Sequence, residues 1–476
     1  MAIYWYWLLL LVEVIAVGAA LLHVVLRKKD PRAAAYWVAL IALVPLLGAL
    51  LYLLLGINIL RRRSKSYRDS SAVLNSTEED SMPLVLPEWE QEVRAFPGLV
   101  RSLRQLSPLT LLGGNQVEML RNGDEAFPAM ISAIDSAEHS ITLATYIFEA
   151  TGIGLQVIQA LERAHLRGVE VRVMIDDAGT RYSWPSALSA LRKRGITARR
   201  FMPNRFFLRL ITMNLRNHRK IMVVDGKIGF TGGINIRQGH MLRENPAHPA
   251  ADTHFRVTGP AVQQLQRVFA EDWLFCTNHR LRGPTWFPEL DMPGEVSVMG
   301  LPDGPDDDIQ PISFALATAL DEARREVWIC TPYFLPPEPI FSALRSCALR
   351  GVKVNILVPG KNNIPLVHWA ARTMYGPLLQ RGCRIYETTG PFDHSKLFAV
   401  DGSFSIIGST NWDPRSLQLN FEFNLACFDE SLATQIQTEL KQKRLTAVEI
   451  TEQILQSQSF AVRLRNGFAR LLIPLL

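Results

Sequence analysis

His218-Arg-Lys220-Ile-Met-Val-Val-Asp225-Gly226-Lys-Ile-Gly-Phe-Thr-Gly232-Gly233-Ile-Asn235 is answered later in the same chain by His394-Ser-Lys396-Leu-Phe-Ala-Val-Asp401-Gly402-Ser-Phe-Ser-Ile-Ile-Gly408-Ser409-Thr-Asn411. At an average usage of ~5% per residue, H-x-K-x4-D is expected by chance roughly 0.06 times in a chain of this length. Two copies, each followed at the same spacing by G-[GS]-x-N, therefore mark a duplication. Histidine and lysine at i and i+2 share one face of a strand. The apolar run then reaches Asp-Gly, a strong two-residue hairpin turn. Each copy predicts a β-hairpin that presents its His, Lys and Asn toward one place.

The duplication extends outward. Ile141 to Phe148 reads as a buried strand, a helical stretch ends at Arg167-Gly168, and Val169 to Ile175 alternates as a second strand. The later copy offers Val327 to Tyr333, then Arg350-Gly351, then Val352 to Val358; Arg194-Gly195-Ile196 and Arg381-Gly382-Cys383 repeat the next step. Strand–helix alternation at this spacing predicts an α/β fold of two duplicated domains, with mixed, largely parallel sheets flanked by helices. Residues 64–107 read as a polar linker, 108–285 as the first domain and 286–476 as the second.

Residues 1–63 are of another kind. Leu8 to Leu26 is apolar except for Glu13 and His23, and Ala33 to Leu60 carries no charge. Both stretches reach the ~20 residues that span a bilayer core. Tyr4 to Trp7, Tyr36, Trp37 and Tyr52 suggest interfacial belts. The expectation is an N-terminal hydrophobic helical hairpin that anchors the chain as a multi-pass membrane protein. The short basic linker Arg27 to Arg32 and the cluster Arg61, Arg62, Arg63, Lys65 and Arg68 nearly balance, with a slight lean to a cytoplasmic catalytic domain. The five scattered cysteines lack C-x-x-C spacing, so they read as reduced structural thiols and lean the same way. The whole chain has 476 residues, 48% of them hydrophobic, and a formal charge of +6, which favours an anionic partner.

The repeated residue types suit a phosphodiester. A neutral imidazole can attack phosphorus and form a covalent intermediate. A second, protonated imidazole can donate to the departing alkoxide. Two ammonium groups (Lys220, Lys396) and two amides (Asn235, Asn411) can stabilise the equatorial oxygens. Small residues such as Gly233 and Ser409 would let backbone approach the phosphate. Asp225 and Asp401 sit at hairpin turns, where turn chemistry competes with contact to substrate. No metal site and no cofactor is expected.

With these motifs the chain resembles the phospholipase D superfamily, named for its HKD motifs, and within it the bacterial cardiolipin synthases. The resemblance runs from about Pro108 onward. The resemblance to the cardiolipin synthases also takes in the N-terminal double hydrophobic segment, with Arg216 to Lys220, Asp252-Thr-His254, Asn411 to Ser416, Asn420-Phe-Glu422 and Pro474-Leu-Leu476. It implies condensation of two phosphatidylglycerols to cardiolipin and glycerol at the bacterial inner membrane. His218 would be the nucleophile and His394 the general acid. Glu422 would orient His218, and Asp252 would orient His394. Glu149-Ala-Thr151 and Asn362-Asn363 depart from the family pattern and bear on headgroup details. The rival readings are a phospholipase D hydrolase, an HKD nuclease and a non-enzymatic membrane scaffold. The hydrophobic hairpin and the absence of a base-stacking patch weigh against nucleic acid as a partner, and a homo-oligomer is left open.

Two further stretches mix bulky apolar and basic residues: Arg205 to Met213, and Phe460 to Leu476. Each reads either as an interfacial segment meeting anionic phospholipids or as a core helix with charged edges.

Overall fold

The computed structural model describes residues 2–28, 31–53, 93, 95–202, 216–305 and 310–473, and all statements below concern these. The stretch 205–213, most of the linker, residues 54–60 and the terminal Pro474-Leu-Leu476 lie outside them. The chain divides into two compact units: Met1–Lys65 with Asn204–Asn214, and the remainder.

In the smaller unit, α1 (Ala2–Arg27) is followed by α2 (Pro31–Leu43) and α3 (Pro45–Leu51). Leu10–Arg27 is long and apolar enough to cross a membrane, whereas the second apolar stretch is interrupted. Val44 precedes a proline, which disfavours helical backbone at that residue, and it adopts φ −137° and ψ 77°. Gly48 then turns α3 closely against α2: a Cβ there would lie 2.7 Å from the Leu40 carbonyl oxygen. Val24, Ile41 and Tyr52 form a small buried cluster, and His23 Nδ1 lies 2.7 Å from the Tyr52 hydroxyl.

The larger unit is built on one fifteen-stranded sheet. Its first half contributes β1 (Leu112–Arg121), β2 (Ser140–Thr145), β3 (Glu170–Asp176), β4 (Thr197–Phe201), β5 (Ile221–Val224), β6 (Ile228–Gly232) and β8 (Thr253–Thr258). The second contributes β9 (Val296–Asp303), β10 (Glu326–Cys330), β11 (Lys353–Pro359), β12 (Arg384–Thr388), β14 (Leu397–Val400), β15 (Phe404–Gly408), β16 (Glu422–Phe428) and β17 (Val448–Ile450). The two-residue strands β7 (Ala250–Ala251) and β13 (Phe392–Asp393) pair separately. From the centre outward the first half runs β1-β8-β6-β5-β2-β3-β4, and the second repeats it as β9-β16-β15-β14-β10-β11-β12, with β17 added at the edge. The duplication is thus visible strand by strand. The mixed α/β class is as the sequence indicates, but separate, largely parallel sheets are not what forms. Only four of the fourteen neighbour pairings, β2–β3, β3–β4, β10–β11 and β11–β12, are parallel. Each HxK hairpin contributes antiparallel neighbours, and β1–β9 joins the halves antiparallel into one sheet.

Strand residues alternate between faces. Met222 and Val224 enter the first half's own core beneath α5 (Asn122–Asp135) and α6 (Ile153–Leu166), while Ile221 and Val223 enter a core shared by both halves. Val327 and Ile329 similarly face the second half's core, and Trp328 and Cys330 face the shared one. The shared core is covered by α8 (Ala261–Thr277) and α13 (Glu430–Leu445), numbered along the chain with α4 (Pro97–Leu106) and α7 (Ala187–Lys193) before them. Residues 97–106, read as linker, fold as α4, because Leu99, Val100 and Leu103 repeat at helical spacing and bury against α9 (Pro311–Glu322). Glu322 accepts from the Gly98 and Leu99 amides at the start of α4.

Candidate active site

The backbone brings the two histidines together by crossing between halves. His218 N–H donates to the Phe421 carbonyl at 2.9 Å, and Phe421 N–H returns a bond to Arg216. Symmetrically, His394 N–H donates to the Ala251 carbonyl at 2.7 Å, beside the β7–β13 pairing. Each bridge places the next residue, Glu422 or Asp252, under the opposite histidine. His218 Nδ1 lies 3.0 Å from Glu422 Oε2, and His394 Nδ1 lies 2.8 Å from Asp252 Oδ2. The imidazole centroids are 6.5 Å apart. Both histidines keep 9% of their surface exposed, whereas Glu422 is fully enclosed. The pair is therefore nearly enclosed, with a small part of each histidine reaching solvent.

The lysines join them on the same strand face. Lys220 Nζ donates to the His218 carbonyl at 2.6 Å and sits 5.9 Å from the Tyr146 ring. Lys396 Nζ lies 2.9 Å from His394 Nδ1 and also donates to the His394 carbonyl. Burial lowers Lys220 to about 7 and Lys396 to about 8. Burial also lowers both histidines; the neighbouring lysines push His394 down further, and Glu422 opposes the shift at His218. Burial raises the Asp252 carboxyl, against the pull of Lys396. Burial works the same way on Glu422, but His218 and Lys220 outweigh it and hold that carboxyl below its usual range. A site so built is short of positive charge, and a phosphodiester anion entering it favours the charged forms of its lysines and histidines.

Other expected site residues prove to be supports. Asp225 accepts from the amides of Glu138, His139 and Ser140, and Asp401 accepts from those of Arg324, Arg325 and Glu326. Both occupy left-handed turn conformations, with φ of 50° and 54°, at the hairpin end away from the histidines. The motif aspartates therefore fasten each hairpin to the start of the neighbouring strand and do not reach the site. Gly233 is small for a different reason than approach to phosphate: a Cβ there would lie 2.2 Å from Asp252 Oδ1. Ser409 likewise serves the carboxylate, its hydroxyl donating to Glu422 Oε2. Asn235 Oδ1 accepts from Ile147 N–H at 3.1 Å, holding the strand end that carries Tyr146. Asn411 Nδ2 donates to Ser416 Oγ at 3.1 Å.

Several contributors were not singled out from sequence. Tyr146 flanks His218 with centroids 5.5 Å apart, and Tyr333 flanks His394 at 6.4 Å. They do not occupy matching places in the repeat: by strand register Tyr146 answers to Pro332 and Tyr333 to Ile147, so aligning the copies would not have paired them. The Arg219 guanidinium is buried at the junction. It donates to Asp272 Oδ1 at 2.5 Å, to the Glu422 carbonyl at 3.0 Å and to the Asp303 carbonyl at 3.1 Å. Asn217 Nδ2 donates to the other Asp272 oxygen. No sequence spacing announces Asp272, which comes from α8.

Comparison with known proteins agrees with this geometry. The family model described as "Cardiolipin synthase, PLD-like domain" matches residues 130–273 and 316–444, and one described as "Phospholipase D-nuclease N-terminal" matches residues 14–56. The chain is 31% identical to the cardiolipin synthase of Oceanobacillus iheyensis, over 98% of this chain and 99% of that protein. It is 33% identical to the cardiolipin synthase of Geobacillus kaustophilus, over 95% and 90%, and 32% identical to cardiolipin synthase A of Pseudomonas putida, over 99% and 98%. Among solved structures, the phosphatidylserine synthase of Haemophilus influenzae shares the fold with a TM-score of 0.62, at 17% identity over 79% of this chain and 98% of that one. By the match over more than half its length and the relatives that span it, the chain belongs to the cardiolipin synthase family of phospholipase D-like proteins.

Proposed function

We infer that the chain is a membrane phosphatidyltransferase that condenses two phosphatidylglycerols to cardiolipin and glycerol through a phosphohistidine. The observation that carries this reading is the pair of imidazoles, 6.5 Å between centroids, each backed by a carboxylate from the opposite half. Rings so placed can address one phosphoryl group from two sides, one as nucleophile and the other as proton donor to the leaving oxygen. His218 Nδ1 lies near two acceptors, Glu422 Oε2 and, at 3.2 Å, the Ser409 carbonyl. That environment favours a proton on Nδ1, leaving the Nε2 lone pair for attack. His394 then protonates the glycerol oxygen as the P–O bond breaks. In the second displacement His394 removes the proton from the terminal hydroxyl of another phosphatidylglycerol, whose oxygen attacks the phosphohistidine and frees His218. Lys220 and Lys396 offset charge on the equatorial oxygens.

The duplicated units are assigned to residues 108–285 and 286–476. Trp286 and Pro288, just after the division, still pack on the Gly226 turn of the first. The hydrophobic segments are assigned as a multi-pass anchor with the catalytic unit in the cytoplasm, a reading supported by the basic flanks and by five free cysteines. The test is incubation of purified protein with phosphatidylglycerol vesicles, measuring cardiolipin, glycerol and phosphatidic acid. Cardiolipin with stoichiometric glycerol is expected, and His218→Ala and His394→Ala should each abolish it. Phosphatidic acid alone would replace the synthase with a hydrolase.

A further inference from the structure

The helix α15 (Phe460–Leu471) follows α10 (Glu338–Leu349), α11 (Pro365–Leu379), α12 (Pro414–Gln418) and α14 (Glu452–Gln456) along the chain and has two apolar sides. One is packed: Asn466 and Ala469 are buried, and Val462 is half-buried on the same side. With 3.6 residues per turn, Phe460, Leu464, Phe468 and Leu471 fall roughly opposite that side, and all four are exposed, Phe460 and Leu471 at 72%. Arginines border this outer row on both flanks, Arg463 and Arg470 on one and Arg465 on the other. The helix has no acidic residue. A solvated helix face carries polar groups where this one carries phenylalanine and leucine.

The location of the row matters as much as its composition. Arg465 stacks 4.4 Å over the Trp369 ring, which sets the middle of α15 beside the first turns of α11. Just before α11, Asn363 accepts a 2.9 Å hydrogen bond from the Tyr333 hydroxyl, and Tyr333 flanks His394. Ile364, next in the chain, is exposed. The equivalent loop of the first half, after β3, carries Tyr182, whose ring lies 6.4 Å from Tyr146, and Trp184, which is 95% exposed. In both halves, bulky apolar side chains thus stand in solvent on the loops that contact the tyrosines flanking the histidines.

We propose that α15 is an interfacial helix whose outer row enters the surface of an anionic phospholipid bilayer, holding the catalytic unit against the lipid. The row would lie among the upper acyl chains. Arg463 and Arg470, which make no ion pair among the described residues, would reach the phosphates from its edge, as long cationic side chains do at interfaces. This is a contact of the catalytic unit itself, additional to the N-terminal segments. Only the choice of phosphatidylglycerol as the anionic lipid rests on the function proposed above.

The test uses the full-length chain in vesicles of phosphatidylcholine and phosphatidylglycerol. An environment-sensitive fluorophore is attached to Leu464→Cys, and separately to Glu430→Cys beside the Asp401–Gly402 turn at the far end of the hairpin. The unsubstituted chain supplies the background from the partly exposed Cys276. Nitroxides on the lipid acyl chains should quench the label at position 464 several-fold more than the one at 430. Arg463→Glu with Arg470→Glu, in a variant of unchanged melting temperature, should remove most of that difference. Equal quenching at the two positions overturns the proposal. So does a label at 464 that is shielded from water yet unreached by the lipid nitroxide, since another protein surface would then cover the row. Persistence of the difference in the double glutamate variant overturns the role of the arginines. None of these readouts depends on turnover, so failure to make cardiolipin would leave them intact and would count against the proposed reaction instead.

Discussion

Glu422 and the Ser409 carbonyl together hold His218 Nδ1 as a donor, while His394 Nδ1 is shared between Asp252 and the Lys396 ammonium. The two imidazoles are therefore equivalent in the repeat but not in their surroundings. Glu422→Gln keeps the volume and removes the charge that fixes the His218 tautomer and stabilises its cation. Turnover is expected to fall by about two orders of magnitude or more with little change in melting temperature, and a loss within a few-fold would remove Glu422 from the mechanism. The lowered ionisations also set a pH profile. Protonated His218 cannot attack, and burial lowers its pKa, so the acid limb of kcat/KM should lie below the ordinary histidine value of about 6.5. On the basic side the proton donor His394, whose ionisation burial and the lysines also lower, is the first to lose its proton. Lys220 at about 7 and Lys396 at about 8 follow, so kcat/KM should decline up to and through that range. A profile flat from pH 6 to 9, values taken to bracket these groups at roughly one unit, would contradict the assignment. The histidines and lysines were legible because they recur at fixed spacing. The acids were reached only through family resemblance, since contacts across 204 and 142 residues leave no local signature.

At the scale of the hairpin, the repeated aspartate illustrates how a motif can mislead. Its constancy across the two copies suggests chemistry, but the reason for it is mechanical. The turn forces φ positive, and the carboxylate gathers three backbone amides that open the adjacent strand. Asp401→Asn retains one acceptor oxygen and loses the charge-assisted character of the bonds. A destabilisation of about 2 kcal/mol is expected, with kcat per folded molecule unchanged. Thermal melting beside active-site titration would separate the two effects, and a kcat loss without a melting shift would return Asp401 to the chemistry. The hairpin itself could be read from Asp-Gly between apolar runs. The fixing of its far end could not, because Glu138 to Ser140 and Arg324 to Glu326 have no distinguishing side-chain pattern and offer only their amides.

Across the whole molecule the duplication ends in one structure. The sequence displays two units, and the repeated strand order confirms their kinship, yet β1 and β9 join them edge to edge. Nothing in either strand's composition states which partner it will choose, so the single sheet was not legible beforehand. Its consequence is a core to which Phe255 and Val257 of the first unit and Phe423 and Leu425 of the second all contribute. The Arg219–Asp272 pair, both residues from the first unit, lies at the same junction, where Arg219 also donates to the Glu422 and Asp303 carbonyls of the second. Separating the halves would expose that core and break the Arg219 bonds to the second unit's carbonyls, at a cost shared by both. Domains that merely touch unfold independently, whereas a common core couples them. The catalytic unit should therefore melt in one calorimetric transition, and Leu425→Ala, which empties part of the shared core, should shift that whole transition downward by about 2–5 kcal/mol of stability. Two resolved transitions, with only the later one sensitive to Leu425→Ala, would mean that the halves fold separately and that the composite site is assembled after folding instead of with it.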